Sequence, residues 1–462
     1  MPVLLLEPDR ERRLSRNPRR AAYYCGAVSS LAAELAARGA RLIVRRGPAA
    51  KVATRLAREL EARTVCWSAS YDAAAIDADR GLQAALEEAG IRVAIVHDGP
   101  AVPPEETAAA RSDGDGSGYR ALAPYVAAWR SRRPAPEPAV VRFASPPLVS
   151  EALPQPADFG PAASLASAAA SPVSETRELG AFETYLAGPA LAYRTARNVP
   201  AAGATARLSA ALSFGVVSAR SLLARIAERE RDAFLLAEER ASLDALTGAL
   251  ARRDFFLQLG WYFEGVPDLA LQPRMRGFPF ADSHPALPAW SAGRTGFPLV
   301  DAGMRQLAAE GWMHPRVRLV AASFLCFDLG VDWRAGRDVW DERLIEDEPA
   351  LATGNWQWVA GVGADLAQVP RIFNPQRQAR WFDPRGAYVR RWIPELAGVP
   401  DAAVFEPESA SRRNQLALAL FGDSGYPAPV VDHERAARAF LARYAAFTRP
   451  SPPAPRARRA NR

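Results

Sequence analysis

The chain has 462 residues, enough for two or three domains that each bury a core. Its apolar runs are far shorter than the ~18 residues that cross a bilayer, so we expect a cytoplasmic protein with no membrane segment. Three cysteines exclude a disulfide framework and a four-cysteine zinc or iron–sulfur centre, and we expect no metal. Of the net charge of +7, most comes from arginines in a proline-rich tail at 448–462 that we expect to be disordered.

Residues 3–97 alternate between short β-type runs and alanine-rich helical runs, within a domain that we place at 1–130. The predicted strands are Val3–Leu6, Arg41–Val44, Thr64–Trp67 and Ile91–Val96. The predicted helices between them are Ala21–Arg38, Lys51–Glu61 and Ala75–Ala89, with Gly39 and Gly90 in helix-ending positions. This alternation predicts an α/β domain with a doubly wound parallel sheet. It contains no glycine-rich nucleotide motif, so a dinucleotide or NTP site has no local support.

The next stretch, 131–175, is rich in proline, alanine and serine, a composition typical of a long interdomain connector that lies over the surface and buries no core. From residue 176 to 447 the pattern is helical, and we expect no strand there. The clearest predicted helices are Leu186–Ala196, Arg220–Phe234, Asp254–Tyr262, Gly303–Ala309 and Arg316–Asp328. We therefore predict an all-α domain over 176–447.

One block of this helical region is unusually rich in tryptophan and arginine. It reads W-S-A-G-R-T-G-F-P-L-V-D-A-G-M-R from Trp290, then D-W-R, N-W-Q-W and R-I-F-N-P, ending at Pro375. These motifs resemble the DNA photolyase/cryptochrome family over 176–447, with a weaker match upstream. The resemblance implies an all-α domain that binds FAD. The family's opening unit, W-F-R-R-D-L-R, has no counterpart here, so we expect a trimmed N-terminal domain, and binding of an antenna chromophore is in doubt.

Residues 205–209 read T-A-R-L-S and lead into a helix. Hydroxyls and N–H groups at a helix start suit phosphate oxygens, but the same pattern also serves as an ordinary helix cap. The resemblance implies that this stretch holds FAD, with Glu346 and Glu348 standing for two family aspartates and Ala352 for an asparagine beside the flavin. The full implied FAD set is Tyr193, Arg197, Thr205, Ala206, Arg207, Leu208, Ser209, Arg253, Glu346, Asp347, Glu348 and Ala352.

Aromatic spacing indicates an electron supply. Trp356 and Trp333 match the first two members of the family's electron relay, while Phe280 occupies the third position. Trp340 and Trp358 are candidates for a detour. Without the resemblance, tryptophans in a helical core are more simply read as packing.

The DNA side departs from the family. Ala249 and Arg252 stand where dimer-repairing members place a glutamate and a stacking tryptophan, whereas Arg316, Arg318 and Gln378 match positions near DNA. The resemblance implies a blue-light-driven photolyase of a divergent branch that repairs UV-induced pyrimidine dimers in DNA. The alternatives are a cryptochrome-like photoreceptor with a signalling protein partner, and a flavoprotein scaffold without light chemistry.

Overall fold

The computed structural model describes residues 1–109, 117–132, 148–169, 172–263, 265, 268–364, 369–406 and 425–449. The predicted tail beyond residue 449 lies outside these ranges. None of the described helices combines the length and the apolar surface that crossing a membrane would take. Within the same ranges, no group of three or more His, Cys, Asp or Glu side chains is placed to bind a metal ion.

The N-terminal part is an α/β unit, as the alternating pattern predicts. Its elements in chain order are β1 (Val3–Leu6), α1 (Pro8–Arg16), α2 (Pro18–Ala37), β2 (Ile43–Arg46), α3 (Ala49–Glu59), β3 (Thr64–Ser68), α4 (Ala73–Glu88), β4 (Arg92–Val96), α5 (Pro104–Ala108) and α6 (Leu122–Arg130). Gly39 and Gly90 follow α2 and α4 with φ of 80° and 75°, a left-handed conformation that favours glycine and ends each helix.

The strands pair as two parallel ladders and not as one continuous sheet. β1 pairs with β2, with Val3 opposite Ile43, and β3 pairs with β4, with Thr64 opposite Arg92. Each strand has only four or five residues, so each ladder is short. Leu5 of β1 nevertheless packs against the cluster that α3, α4 and Ile91 build beside the second ladder, which brings the two ladders into contact.

The proline- and alanine-rich stretch contributes to the core, so the expectation that it buries none is wrong for Pro156–Ala169. A 3₁₀ turn at Pro156–Phe159 leads into α7 (Pro161–Ala169), which packs against α2. Phe159 and Ala163 are buried in the same cluster as Leu6 and Leu14. Alanine-rich composition hid this contact because small side chains allow close helix packing without a large hydrophobic signature. The domain boundaries at 130 and 175 remain predictions.

The rest of the described chain is helical, as predicted. Its helices are α8 (Glu175–Ala187), α9 (Tyr193–Ala196), α10 (Ser209–Ser213), α11 (Ala219–Glu230), α12 (Ala237–Tyr262), α13 (Leu287–Ala292), α14 (Pro298–Glu310), α15 (Pro315–Ser323), α16 (Trp333–Asp341), α17 (Pro349–Val359), α18 (Pro375–Phe382), α19 (Ala387–Trp392) and α20 (His433–Thr448). A π-helical turn, Phe324–Asp328, continues α15. Among the described residues of this region, β pairing is limited to one isolated bridge between Ala281 and Val331.

Helix α12 organises the site because it contacts both halves of the molecule. It packs against α6 and α5 on one side and against α9, α11 and α17 on the other. A second, larger core built around Trp290, Phe324 and Trp356 holds α13 to α17 together. The N-terminal unit, α12, α15 and the start of α17 therefore converge on one place.

The contact between α12 and the N-terminal unit requires glycine at position 260. A β-carbon there would overlap the carbonyl oxygen of Tyr71 and lie 3.1 Å from the Ala350 Cβ. We expect Gly260→Ala to lower the free energy of unfolding by about 2–3 kcal/mol, since backbone has to move to admit the methyl group. The measurement is the urea midpoint.

Gly248 on the same helix supplies the matched control. Its nearest neighbour is the end of the flexible Arg130 side chain at 3.7 Å, so Gly248→Ala should raise stability by roughly 0.5–1 kcal/mol through helix propensity alone. Equal midpoints for the two variants would show that α12 does not need this close approach.

Candidate functional site

Three consecutive carboxylates, Glu346, Asp347 and Glu348, form the loop that enters α17, where Pro349 takes the first helical position. Proline suits that position because its missing N–H would have no partner in the helix. Each of the three carboxylates binds arginine from a different part of the chain. The loop is therefore the point where distant elements are tied together.

Glu346 is bound on both oxygens. Its Oε1 forms an ion pair with Arg318 of α15, and its Oε2 accepts a hydrogen bond of 2.6 Å from the Ser209 hydroxyl at the start of α10. Burial alone would raise the pKa of this carboxyl, but the charge of Arg318 and the two hydrogen bonds outweigh it, so the pKa lies below its ordinary value. Glu346 is therefore ionised at neutral pH.

Asp347 ties the N-terminal helices to this loop. Its carboxylate pairs with Arg10 at 3.1 Å, with Arg13, and with Arg20 at 3.7 Å, and only 4% of its side chain is exposed. Its backbone N–H donates to the Ser213 hydroxyl at 3.1 Å. Arg20 is itself buried and also donates to the carbonyl oxygens of 341, 344 and 346.

Glu348 has the weakest compensation of the three. Arg253 of α12 lies 3.4 Å from its Oε2 and also donates to the Gly99 carbonyl oxygen at 2.7 Å. Burial raises the pKa of Glu348 to about 7, with repulsion from Asp347 adding to the effect and Arg253 opposing it. The neighbouring Asp254 is fully buried, accepts from the Trp129 indole N–H at 2.9 Å, and has its pKa raised by burial to about 6.

His314 caps α15 from inside the protein. Its Nδ1 accepts a hydrogen bond of 3.2 Å from the Arg316 backbone N–H, so Nε2 carries the proton of the neutral ring. That buried Nε2–H donor has no partner in the described part of the chain. Burial, followed by the charges of Arg316, Arg318 and Arg207, lowers the pKa of His314 to about 4. His314 is therefore neutral at physiological pH and does not supply a general acid there.

Arg316, two residues after His314, forms a group of three arginines with Arg197 and Arg252. Its guanidinium donates to the neutral Asn198 Oδ1 at 2.8 and 3.2 Å and lies 4.5 Å over the Phe382 ring. The pKa of Arg316 is lowered by burial and by the charge of Arg197. Burial and Arg197 also lower the pKa of Arg252. Within the described ranges, none of the three arginines has a carboxylate at ion-pair distance.

The remaining predicted cofactor residues lie along the same region. Arg207 adopts a positive φ of 54°, pairs with Glu310 and stacks 3.9 Å over the Trp312 ring. Arg197 lies 5.5 Å over the ring of Tyr193. Leu208 is buried, whereas Thr205, Ala206, Ser209 and Ala352 are half-buried. On the DNA side, Arg318 is bound to Glu346, Ala249 is half-buried, and Gln378 is buried with its Oε1 unpartnered in the described structure.

Trp356 and Trp333, the predicted relay residues, are 2% and 1% exposed and belong to one core cluster. The Trp356 ring lies 4.5 Å from Trp340 and 6.4 Å from Trp290, and Trp290 stacks on Trp340 at 6.3 Å. Trp333 is faced instead by guanidiniums, with Arg334 at 4.5 Å. The structure thus places the detour candidate Trp340 against Trp356 and adds Trp290, which the sequence reasoning did not single out.

The residues around the loop fit a diphosphate-bearing flavin. The carboxylates of Glu346 and Glu348 lie deep in the protein and are surrounded by it. Because 15% and 19% of their side-chain surface nevertheless stays accessible, they border an interior cleft. The donors there are guanidiniums, which match phosphate and carbonyl acceptors. Ala352, whose N–H donates to the Glu348 carbonyl oxygen at 3.0 Å, adds only a small side chain next to this loop.

The N-terminal ties to Asp347 were missed in the sequence. Arg10 and Arg13 lie on the polar helix α1 and Arg20 lies in the first turn of α2, where arginine usually faces solvent, and Asp347 is more than 320 residues away. No local pattern distinguishes such a pair from a solvated surface.

His314 yields a pH prediction. Its pKa falls from 6.5 in the unfolded chain to about 4 in the folded one, so the unfolded state binds the proton first as pH drops. The contribution of His314 to the free energy of unfolding is therefore complete above pH 6.5. It falls by about 3 kcal/mol in all as the pH drops towards 4. We expect His314→Asn, which keeps an N-cap oxygen but does not titrate, to lose less stability over this range.

The comparison uses urea midpoints of both proteins from pH 7.5 to 4.5. Other titrating groups contribute equally to both curves, so the difference between them reports His314. Parallel curves would contradict the assigned pKa.

Comparison with known proteins assigns this architecture. Residues 246–446 match the model of the FAD binding domain of DNA photolyase, and residues 1–141 match the DNA photolyase model. A deoxyribodipyrimidine photo-lyase of Halobacterium salinarum is 35% identical over 90% of this chain and 86% of its own length.

The class III photolyase structure from Agrobacterium tumefaciens superposes with a TM-score of 0.84 at 29% identity, covering 97% of this chain and 92% of that one. The cryptochrome structure from Synechocystis superposes with a TM-score of 0.82 at 26% identity, covering 95% and 92%. An N-terminal α/β unit followed by a helical FAD-binding domain is the architecture of the DNA photolyase/cryptochrome family, and this chain belongs to it.

Proposed function

We propose that this protein is an FAD-dependent, blue-light-driven DNA photolyase of a divergent branch that acts on UV-induced pyrimidine dimers. The observation that carries the proposal is the group formed by Arg197, Arg252 and Arg316, which has no acidic partner in the described structure. Elsewhere in the site, arginines are matched to carboxylates. Here the protein leaves charge for a ligand to neutralise.

The electrostatic cost of placing these arginines together without carboxylates supports the proposal that the ligand is a polyanion. Beside burial, the charge of Arg197 lowers the pKa of both Arg252 and Arg316, which means that Arg197 repels each of the other two guanidiniums. A neutral amide, Asn198, binds Arg316 and leaves its charge uncompensated. DNA phosphates would relieve this repulsion, and bound counterions would be released, which makes such binding sensitive to salt.

Two buried polar groups support a base-reading role beside these arginines. The Gln378 Oε1 and the His314 Nε2–H are buried and unpartnered within the described residues. An acceptor and a donor of this kind suit the edge of a base that has left the duplex. Leaving them unpaired costs free energy, which a bound nucleotide would recover.

FAD, when bound, supplies the electron chemistry of this reaction. We assign its phosphates and ribityl chain to the 205–209 stretch, and its flavin side to Arg253, Glu348 and Ala352. The protein's part is to hold these groups in place: Arg318 and Ser209 fix Glu346, and Arg10, Arg13 and Arg20 fix Asp347 between them.

The second candidate is a cryptochrome-like photoreceptor, favoured by one observation. The glutamate and tryptophan that dimer-repairing members use are Ala249 and Arg252 here, and neither offers the stacking face of an indole. A signalling partner would then take the place of DNA. Light-dependent repair separates the two candidates.

The deciding experiment uses an oligonucleotide with one defined thymine dimer. The purified protein, loaded with FAD and chemically reduced, is illuminated with blue light and compared with a dark sample and with a sample lacking protein. We expect light-dependent loss of the dimer, measured by chromatography. FAD-loaded protein that absorbs blue light but leaves the dimer intact would contradict the proposal and favour a photoreceptor.

The arginine group makes a separate, quantitative prediction for DNA binding. Arg252→Ala and Arg316→Ala should each weaken binding of dimer-containing DNA and reduce the slope of log K against log salt by about 1. The measurement is fluorescence anisotropy over a salt series.

Arg231 provides the control, because it is an exposed arginine already paired with Glu228 at 2.5 Å. Arg231→Ala should leave both affinity and slope unchanged. Slopes that fall equally in all three variants would show a nonspecific effect of charge and contradict a phosphate contact at Arg252 and Arg316.

A further inference from the structure

Tyr71, His97 and Glu105 form a hydrogen-bonded chain where the N-terminal unit meets α12. The Tyr71 hydroxyl lies 2.7 Å from His97 Nδ1, and His97 Nε2 lies 3.1 and 3.0 Å from the two Glu105 carboxylate oxygens. A carboxylate accepts only, so Nε2 carries the ring proton and Nδ1 is the acceptor for the phenol. Tyr71 thus donates to a base that is itself oriented by a carboxylate.

An indole lies against this chain. The Trp261 ring meets the His97 ring edge-on at 4.9 Å and lies 6.1 Å from the Tyr71 ring. Burial alone would raise the pKa of Glu105, but hydrogen bonds from His97 and Trp261 hold it below its ordinary value, so the carboxylate stays charged. A tyrosine with a proton acceptor and a tryptophan within van der Waals reach is the arrangement of a redox-active tyrosine.

Tyr71 is also protected as such a group requires. It is 7% exposed, and a β-carbon on Gly99 would lie only 3.0 Å from its ring. Burial, followed by the negative charges of Asp254, Glu105 and Glu348, raises its pKa far above the ordinary value, while Arg253 opposes them. Tyr71 therefore stays protonated until it is oxidised, and its proton has to leave together with the electron.

We propose that Tyr71 is a redox-active tyrosine that delivers an electron to an oxidised Trp261 while its phenolic proton moves to His97. The oxidant is a tryptophan radical cation at Trp261, produced when a photoexcited electron acceptor withdraws one electron from the indole. Trp261 returns to its neutral form, Tyr71 becomes a neutral radical, and His97 becomes an imidazolium stabilised by Glu105. The return of one electron to Tyr71 and of the proton from His97 restores the starting state.

This role goes beyond DNA repair and does not depend on it. The family's relay position at Phe280 lacks an oxidisable indole in this chain, so a second donor has a use here. The radical would be held in a buried phenol whose proton is stored one hydrogen bond away. A tyrosyl radical beside a protonated histidine outlives an exposed tryptophan radical, because recombination requires both an electron and the proton to return to the phenol.

The chain offers a convenient place for a photo-oxidant. Of its three cysteines, Cys25 and Cys326 are buried and Cys66 on β3 is exposed. Cys66 precedes Tyr71 by five residues, so the chain limits the separation of their Cα atoms to about 18 Å. A ruthenium polypyridyl maleimide attached to Cys66 and flashed with persulfate as quencher will therefore oxidise groups near Tyr71 without relying on flavin.

We expect a tyrosyl radical signal by electron paramagnetic resonance in the labelled wild-type chain. Tyr71→Phe should abolish it, and Trp261→Phe should reduce it. His97→Gln keeps a hydrogen-bond acceptor but cannot take a proton, and it should lower the radical yield on the order of tenfold or more. Circular dichroism checks that each variant is folded.

Tyr185 is the matched control. It is equally buried, at 7% exposed, but its hydroxyl donates to the Ala204 carbonyl oxygen at 3.0 Å, which is not a proton acceptor. Tyr185→Phe should leave the signal unchanged. A wild-type chain without a tyrosyl signal, a signal that survives Tyr71→Phe, or an equal yield in His97→Gln would overturn the proposal. Because no DNA is present, these outcomes are independent of the repair assay.

Discussion

The structure depends on the three carboxylates that precede α17. Each is held by arginine from a different element: Glu346 by α15, Asp347 by α1 and α2, and Glu348 by α12. Buried carboxylates are costly unless they are paired and hydrogen-bonded, so loss of the arginines that hold this loop would leave buried charge without compensation. The loop therefore stays in place only when the N-terminal unit and the helical domain are both correctly assembled, and the cleft beside it depends on that assembly.

The three carboxylates differ in how far arginines and hydrogen bonds offset the cost of their burial, and this difference has chemical consequences. Glu346 has both oxygens bound and its pKa is lowered, whereas Glu348 has one long contact to Arg253 and its pKa is raised to about 7. Near neutral pH, Glu348 is therefore the member of the trio whose charge responds to what occupies the cleft. An electron-rich cofactor nearby would favour its protonated form, and a cationic one its ionised form.

Much of the fold followed from sequence patterns, because hydrophobic periodicity is local. The strands at Val3–Leu6 and Thr64–Ser68 and the helices α2, α3 and α4 lie within a few residues of their predicted spans, whereas α1 was not predicted. Contacts that join distant segments did not follow. The resemblance pointed to Arg318 as a residue near DNA, but its position on α15 brings it to Glu346, and Phe159 reaches the core from a stretch that its composition described as a connector. The Tyr71–His97–Glu105 chain was equally hidden, since the three residues lie on separate elements and only the fold aligns their polar atoms.

The substituted DNA side becomes intelligible when charge is followed across the site. On the loop side, every arginine has a carboxylate, and the electrostatic cost of burial is met within the protein. On the side of Arg197, Arg252 and Arg316, the described residues place no carboxylate at ion-pair distance, and the neutral Asn198 amide binds Arg316 instead. Replacement of a stacking tryptophan by Arg252 then fits the same trend: the pocket has exchanged an apolar surface for positive charge. Under the proposed function, binding energy that an indole would have supplied through a base comes instead from the ligand's anionic groups. Such a pocket would select a phosphate-bearing ligand by charge more than by the shape of its bases.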